Sequence, residues 1–223
     1  MIESFLAKAP LFKGLPAADR QQIAKAALQK AYAKGETLYR EGQRADAVWI
    51  VKSGRVHLMK FSDDGHVSTN CVMTDGELFC CLPAMDQQAY PTDAVAATDA
   101  EVIRIPMVRF NQVMERHPAF RREVTSVFCG RLREVESKGC AIFDPVEKRL
   151  AQALLTLMKK FGPTIPLTRQ DFSELAGTTV ETTIRILSRF KDDGMITSSR
   201  GQTTIVHPEK LQQIARNDAA AEE

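Results

Sequence analysis

Residues 168–196 read TRQDFSELAGTTVETTIRILSRFKDDGMI, and this stretch decides the architecture of the C-terminal part. Thr168-x-x-Asp171 matches a capping box just ahead of the apolar Phe172 and Leu175. Gly177 then breaks the helix, because a residue free to take positive φ ends a helix cheaply. Thr178 and Thr179 can cap the next helix, which the pattern runs from Val180 to Asp192 or Asp193 and stops at Gly194. Helix, glycine turn and helix make a helix-turn-helix. In the second helix Thr183, Ile186, Leu187 and Phe190 share one face, and Val180, Glu181, Ile184, Arg185 and Ser188 share the opposite one. Beyond it, Ile196-Thr197 and Thr203-Thr204-Ile205-Val206 flank Ser198-Ser199-Arg200-Gly201-Gln202 and spell a β-hairpin, a wing.

Working upstream, Asp144-Pro145 is a helix start, with Val146, Leu150, Leu154, Leu157 and Phe161 inward and Gly162-Pro163 as the end. An extended piece with Ile165 and Leu167 leads into the capping box. Further upstream, past Pro118, a longer helix carries Phe120, Val124, Val127, Phe128, Leu132 and Val135 at steps of mostly three or four, with Gly139 as its expected stop. Arg121, Arg122, Arg131, Arg133, Glu123, Glu134 and Glu136 flank that stripe. An apolar stripe between charges of both signs suits a two-stranded coiled-coil interface. It equally suits one helix packing on its own domain, and the pattern leaves both open.

From Gly35 the periodicity changes. Short runs rich in β-branched and aromatic residues (ETLYR, AVWIVKS, RVHLMKF, VSTNCVM) alternate with glycines, and Ser62-Asp63-Asp64-Gly65 is a hairpin turn. Thr92 to Ile105 reads as two more strands around Thr98-Asp99. Strands at this spacing argue for a small antiparallel barrel or jelly roll. Ahead of it, residues 1–30 read as helical, with Leu6, Phe12, Leu15, Ile23 and Leu28 on a loosely periodic apolar face. The expected class is α+β: a barrel with helical flanks over residues 1–107, a long helix and hinge over 108–143, and a winged helix-turn-helix over 144–223.

Composition narrows the function. In 223 residues, 44% are hydrophobic and 26% charged, a balance too apolar for a disordered chain. No apolar run reaches the roughly 20 residues of a membrane span, and the first residues lack a signal-peptide layout, so the expectation is a cytoplasmic protein with no membrane partner. The net charge of +2 hides an uneven distribution. Residues 108–143 carry 7 basic against 4 acidic side chains and residues 144–216 carry 11 against 8, before an acidic tail of Asp218, Glu222 and Glu223. That surplus permits nucleic-acid binding. Five cysteines (Cys71, Cys80, Cys81, Cys129, Cys140) include no C-x-x-C pair or zinc spacing, and read as free thiols with no metal site. The four histidines (His57, His66, His117, His207) are scattered, with His57 and His66 read as surface residues of one hairpin. No nucleophile elbow, phosphate loop or H-E-x-x-H motif occurs, which argues against an enzyme.

Arginine matches the O6/N7 edge of guanine and glutamate accepts from the cytosine amino group. Glu181 and Arg185, one turn apart near the start of a recognition helix, would both reach base edges in a major groove. The same spacing also makes an ordinary intrahelical ion pair. The glycine turn, the wing and the charge surplus favour double-stranded DNA, with Thr179, Val180, Glu181, Thr182, Ile184, Arg185 and Ser188 presented by the recognition helix. Arg169, opening the first helix, and Arg200, in the wing, are expected near phosphates, where they would position without reading sequence.

The segments KGETLYREGQRADAVWIVKSGRVHL (34–58) and TRQDFSELAGTTVETTIRILSRFKDDGMI (168–196), in this order, resemble the Crp/Fnr family of bacterial transcription regulators over essentially the whole chain. The resemblance implies an N-terminal cyclic-nucleotide-binding-like barrel (jelly roll), a long dimerisation helix and a C-terminal winged helix-turn-helix. It further implies a homodimer through Phe120, Val124, Val127, Phe128, Leu132 and Val135, a palindromic operator, and RNA polymerase as a partner if the protein activates. Members with V-E-T-x-x-R at the recognition helix favour half-sites resembling TTGA. An effector in the barrel is implied as well.

The effector segment departs from the cyclic-AMP receptors of the family. Those place a Gly-Glu-Leu and an Arg-Ser or Arg-Thr around the cyclic nucleotide. By alignment Cys80-Cys81 fall where that Gly-Glu should be, so Glu77 is not the ribose ligand, and Tyr90 or Pro91 stands at the arginine. Without the arginine a cyclic phosphate loses its bidentate charge-assisted contact, which argues against cyclic AMP. An N-terminal iron–sulfur cluster is disfavoured because no cysteine precedes Cys71. Phe79-Cys80 resembles the haem-cysteine context of the family's gas sensors, making Cys80 a candidate haem ligand, although Leu82 stands where their histidine is expected. The expected pocket is Gly76, Glu77, Phe79, Cys80, Cys81, Leu82, Tyr90 and Thr92, open to a haem, a small organic molecule or thiol chemistry by reactive oxygen or nitrogen species. Two other readings stay open: a cyclic-nucleotide-responsive regulator with an atypical pocket, and a ligand-binding or scaffold protein without DNA readout.

Overall fold

The computed structural model describes residues 2–62, 65–141 and 143–216. The chain forms two compact units, residues 1–60 with 70–135, and residues 61–69 with 136–223. The expected turn at Asp63-Asp64, the acidic tail and the side chain of Cys140 lie outside what is described.

The first unit opens with three helices, α1 (Ile2–Lys8), α2 (Pro10–Lys13) and α3 (Ala17–Ala26), followed by β1 (Leu28–Tyr32). The helical reading of residues 1–30 therefore runs too far. Leu28 starts a strand and is exposed, while Leu6, Phe12, Leu15 and Ile23 are buried. Next come β2 (Thr37–Tyr39), β3 (Ala47–Ser53), β4 (Val56–Phe61), β5 (Val67–Met73), β6 (Leu78–Phe79), the short α4 (Leu82–Asp86), β7 (Asp93–Ala96) and β8 (Ala100–Pro106). They build two four-stranded sheets, ordered β1-β8-β3-β6 and β2-β7-β4-β5, in which β1–β8, β8–β3, β3–β6, β2–β7 and β7–β4 pair antiparallel.

Strand β3 shows why the chain folds this way. Ala47, Val48, Trp49, Ile50 and Val51 are all buried, because both faces of the strand are covered. Ala47, Trp49 and Val51 point into the barrel interior with Tyr32, Tyr39, Phe79 and Val102. Val48 and Ile50 point the other way, into a second core with Leu6, Phe12, Ile23, Ile103 and Ile105. A continuous apolar run is what a two-faced buried strand requires, and the period-2 alternation sorts its residues between the cores.

Helices α5 (Met107–Arg116) and α6 (Pro118–Ala141) follow, separated at His117-Pro118. The 24 residues of α6 span about 36 Å at helical rise. Gly139 does not stop it. The stripe assigned to a dimer divides: Phe120 and Val124 are buried in the helical core of their own unit, and Phe128 packs against it. Leu132 and Val135 are exposed and Val127 is half-buried. Packing on its own unit therefore holds for Phe120, Val124 and Phe128, and Val127, Leu132 and Val135 stay outside that core.

In the second unit, α7 (Val146–Phe161) begins after Pro145, which itself occupies the N-cap. Asp144 does not cap; its Oδ1 pairs with Lys148 Nζ at 3.1 Å. Then come β9 (Thr164–Ile165), α8 (Arg169–Ala176), α9 (Val180–Asp192), β10 (Ile196–Ser199), β11 (Gln202–Ile205) and α10 (Pro208–Arg216). The three strands form one sheet, β10-β11-β9. Helix α10, which the sequence reading passed over, buries Leu211 and packs on α7. Its signal was there, with Pro208 at the first position and Glu209 in the first turn.

Candidate nucleic-acid interface

The helix-turn-helix is assembled by local hydrogen bonds. Thr168 Oγ1 accepts from the Asp171 amide at 3.2 Å and the Asp171 carboxylate accepts from the Thr168 amide at 2.7 Å, the reciprocal capping box. Gly177 ends α8 at φ 59°, the left-handed conformation. Thr179 caps α9 by accepting from the Thr182 amide at 3.1 Å. Thr183, Ile186, Leu187 and Phe190 are buried, which fixes the roll of α9 and leaves Glu181, Ile184, Arg185 and Ser188 facing out. Val180 and Thr182 are half-buried and Thr179 is exposed.

Glu181 and Arg185 could have closed an intrahelical ion pair. Among the described residues they do not: both are exposed, and neither forms a salt bridge or side-chain hydrogen bond. A free carboxylate and a free guanidinium one turn apart is the arrangement suited to reading base edges.

Arg169, expected near phosphates, has a structural role as well. Its Nη1 donates to Thr203 Oγ1 at 3.1 Å and its Nη2 to Ser198 Oγ at 2.8 Å, so it braces the first turn of α8 to both strands of the wing. Partial burial pulls its pKa below the usual arginine value. Arg200 lies exposed at the wing turn, beside Gly201 at φ 75°. Two residues the sequence reading missed stand beside Arg185. A cleft of about 370 Å³ is lined by Val146 and Glu147 of α7 and by Thr182, Arg185, Ile186 and Arg189 of α9. Within it Arg189 and Glu147 form a salt bridge. The signal for Arg189 was its place one turn beyond Arg185.

The expected effector pocket comes apart in the structure. Cys80 points into the barrel interior, whereas its neighbour Cys81 packs in the helical core, so the two thiols serve opposite faces. Leu82 begins α4 and is only half-buried. Glu77 closes its own turn, its Oε2 accepting from Thr74 N at 2.7 Å and Thr74 Oγ1 at 2.9 Å, while the Gly76 amide donates to Val51 O at 2.8 Å. Phe79, Tyr90 and Thr92 are buried. His57, expected on the surface, is buried as well.

Tyr39, which the sequence reading left unremarked, is the centre of the interior. Its ring stacks on Tyr90 at 3.9 Å and lies 5.7 Å from Trp49 and 6.4 Å from Phe79. Trp49 Nε1 donates to Tyr90 Oη at 3.1 Å, and Tyr90 Oη donates to Ala47 O at 3.1 Å. Tyr39 Oη and Cys80 Sγ share a hydrogen bond. Burial pushes the Cys80 thiol up to about 12. A haem does not fit these residues: the Cys80 sulfur is buried, capped by the Tyr39 hydroxyl and set among stacked rings that occupy the space a porphyrin would need.

Comparison with known proteins agrees with the two-domain fold. Residues 29–117 match the cyclic nucleotide-binding domain model and residues 148–214 the Crp-like helix-turn-helix domain model. The "Cyclic AMP receptor protein" of Thermus thermophilus is 27% identical over 209 residues, covering 92% of this chain and 96% of that protein. The "Transcriptional activator protein FnrA" of Stutzerimonas stutzeri is 25% identical over 182 residues, 78% of this chain and 74% of its own length. The solved structure of FixK2 from Bradyrhizobium japonicum superposes with a TM-score of 0.78 at 23% identity, over 87% of this chain and 98% of that one. No helix among the described residues is long and apolar enough to cross a membrane.

Proposed function

The chain belongs to the Crp/Fnr family of transcription regulators, and from that premise we propose that it works as a homodimer on a palindromic, TTGA-like operator under control other than by a cyclic nucleotide. The observation that carries the DNA reading is the pair of free side chains, Glu181 and Arg185, on the outward face of a helix whose inward face is fully packed. Two such helices related by a two-fold axis would read half-sites about 34–36 Å apart. Among the described residues of α6, the exposed Leu132 and Val135 and the half-buried Val127 are available to a second copy. RNA polymerase is the further partner if the protein activates.

The cyclic-nucleotide readout is weighed against by the barrel interior. Tyr39, Trp49, Phe79 and Tyr90 fill it with rings, and no arginine stands at Tyr90 or Pro91 to neutralise a phosphate. An uncharged ligand of small size, displacing part of the ring stack, is the effector chemistry this lining supports. The resemblance to a protein named as a cyclic AMP receptor favours the competing reading of an atypical cyclic-nucleotide pocket. Selection from a random duplex pool tests the core of the proposal. An enriched inverted repeat supports it, and no enrichment with or without cyclic AMP overturns it.

A further inference from the structure

Arg189 carries a charge that the free protein already spends. It lies on the same stripe of α9 as Glu181 and Arg185, at steps of four, and so follows Arg185 along the face presented to DNA. Arg185 is exposed and unpaired among the described residues, whereas Arg189 is held by Glu147 from the first turn of α7. Neither partner is buried: the side chains keep 54% and 35% of their exposure, so water and ions reach the pair. The cleft around it has an apolar floor of Val146 and Ile186, the Thr182 side chain, and two guanidinium groups against one carboxylate. Its local charge is therefore positive, and what a guanidinium pair accommodates best is a phosphodiester oxygen.

We propose that the Glu147–Arg189 pair is a built-in competitor of DNA. It keeps Arg189 extended at the rim of the recognition helix while cancelling its charge. On binding, a backbone phosphate takes the guanidinium and the Glu147 carboxylate turns to water. Glu147 thereby weakens sequence-independent binding, leaving discrimination to Glu181 and Arg185, since phosphate contacts carry affinity without reading bases. The inference rests on the DNA-binding reading above and assigns to α7 a residue that tunes affinity from outside the recognition helix.

The test uses the full-length chain as wild type, Glu147→Gln, Arg189→Ala and the double variant. Binding is followed by fluorescence anisotropy on the selected operator and on an unrelated duplex. Glutamine keeps the shape of glutamate and one acceptor oxygen while removing the charge, so folding is retained, and a thermal melt checks it. Glu147→Gln should tighten both duplexes by the same factor, about two- to fivefold, the range of a half-exposed ion pair. In the Arg189→Ala background that gain should vanish. A gain of equal size in both backgrounds would mean a general charge effect and overturns the competition. So does unchanged binding, or weaker binding with a lowered melting temperature, which marks a structural brace. A wild-type chain that retains neither duplex even at low salt removes the DNA reading itself, an outcome separate from the other three.

Discussion

The Arg169 guanidinium reaches from the first turn of α8 to Ser198 Oγ, 2.8 Å away on the first strand of the wing, and its other terminal nitrogen reaches Thr203 on the second strand. One side chain thus fixes the angle between the helix-turn-helix and the hairpin beside it. Two of its five N–H donors are used, which leaves others to face a phosphate.

Removing that brace has a double effect. Arg169→Ala should lower the stability of the DNA-binding unit by about 1–2 kcal/mol, the worth of partly exposed hydrogen bonds to a charged group. It should also weaken binding to all duplexes alike, because a mobile wing loses register without changing base readout. Denaturant melts combined with binding to operator and unrelated DNA check both parts. Loss confined to the operator would show that Arg169 reads sequence.

Arg185→Ala should behave in the opposite way. Its guanidinium is exposed and unpaired among the described residues, so nothing in the free protein loses a partner and the melting temperature should hold. Operator affinity should fall by about 1–3 kcal/mol, with relaxed preference at one base pair of each half-site. Repeating the duplex selection with the variant shows whether a single position loses its bias.

Two glycines with similar backbone angles should differ sharply on substitution. At Gly54, φ 86°, an added Cβ would lie 2.3 Å from Asp99 O, so backbone must move. At Gly177, φ 59°, the nearest atom is Arg149 Nη1 at 3.3 Å, the mobile end of a side chain. Gly177→Ala should cost about 1–2 kcal/mol from the left-handed conformation alone. Gly54→Ala adds a backbone clash and should cost about 3–4 kcal/mol. Chemical denaturation measures both, and equal losses would contradict the close approach of Gly54 to Asp99.

Much of this was legible in the chain. Caps, glycine turns and 3.6-residue periodicity placed α8, α9 and the wing, because those signals act within a few residues. What escaped depends on the partner of a face. The stripe of α6 reads as one surface, yet Phe120 and Val124 are buried in the first unit while Leu132 and Val135 are exposed. Cys80 and Cys81 look like one motif, and the left-handed φ of 60° at Cys80 helps to send them to different cores. Tyr39 sits 51 residues from Tyr90 in sequence, and only the pairing of β2 with β7 shows that their rings belong together.

The buried thiol gives a pH dependence with a definite sign. Cys80 is raised from 9.0 to about 12, so between these values the folded chain holds a proton that the unfolded chain has released. Stability should therefore be fully present below about pH 9 and fall as pH rises toward 12. Cys80→Ala should flatten part of that fall, with Cys81, Tyr39 and Tyr90, also raised by burial, contributing to the rest. At neutral pH the half-buried Cys71 and Cys129 should alkylate before Cys80, as read by mass spectrometry of the folded protein.

The last prediction concerns cyclic nucleotides. A purine nucleotide needs an unfilled slot and a cation for its phosphate; the described interior holds stacked rings, and no arginine stands at Tyr90 or Pro91. Tyr39 and Tyr90 stack at 3.9 Å, which leaves no room for a base between them, and Trp49 locks Tyr90 through its Nε1. Both tyrosines would have to leave the core together, exposing rings whose burial contributes several kcal/mol by area. Calorimetry with cyclic AMP and cyclic GMP should therefore show no saturable heat at concentrations up to about 1 mM, equivalent to binding weaker than about −4 kcal/mol. Tyr90→Ala provides the control: it opens the stack without adding a cation, so it should admit small aromatic probes and still refuse the cyclic phosphates. Micromolar binding of either nucleotide by the wild-type chain would establish that the ring stack opens, and would restore the atypical-pocket reading.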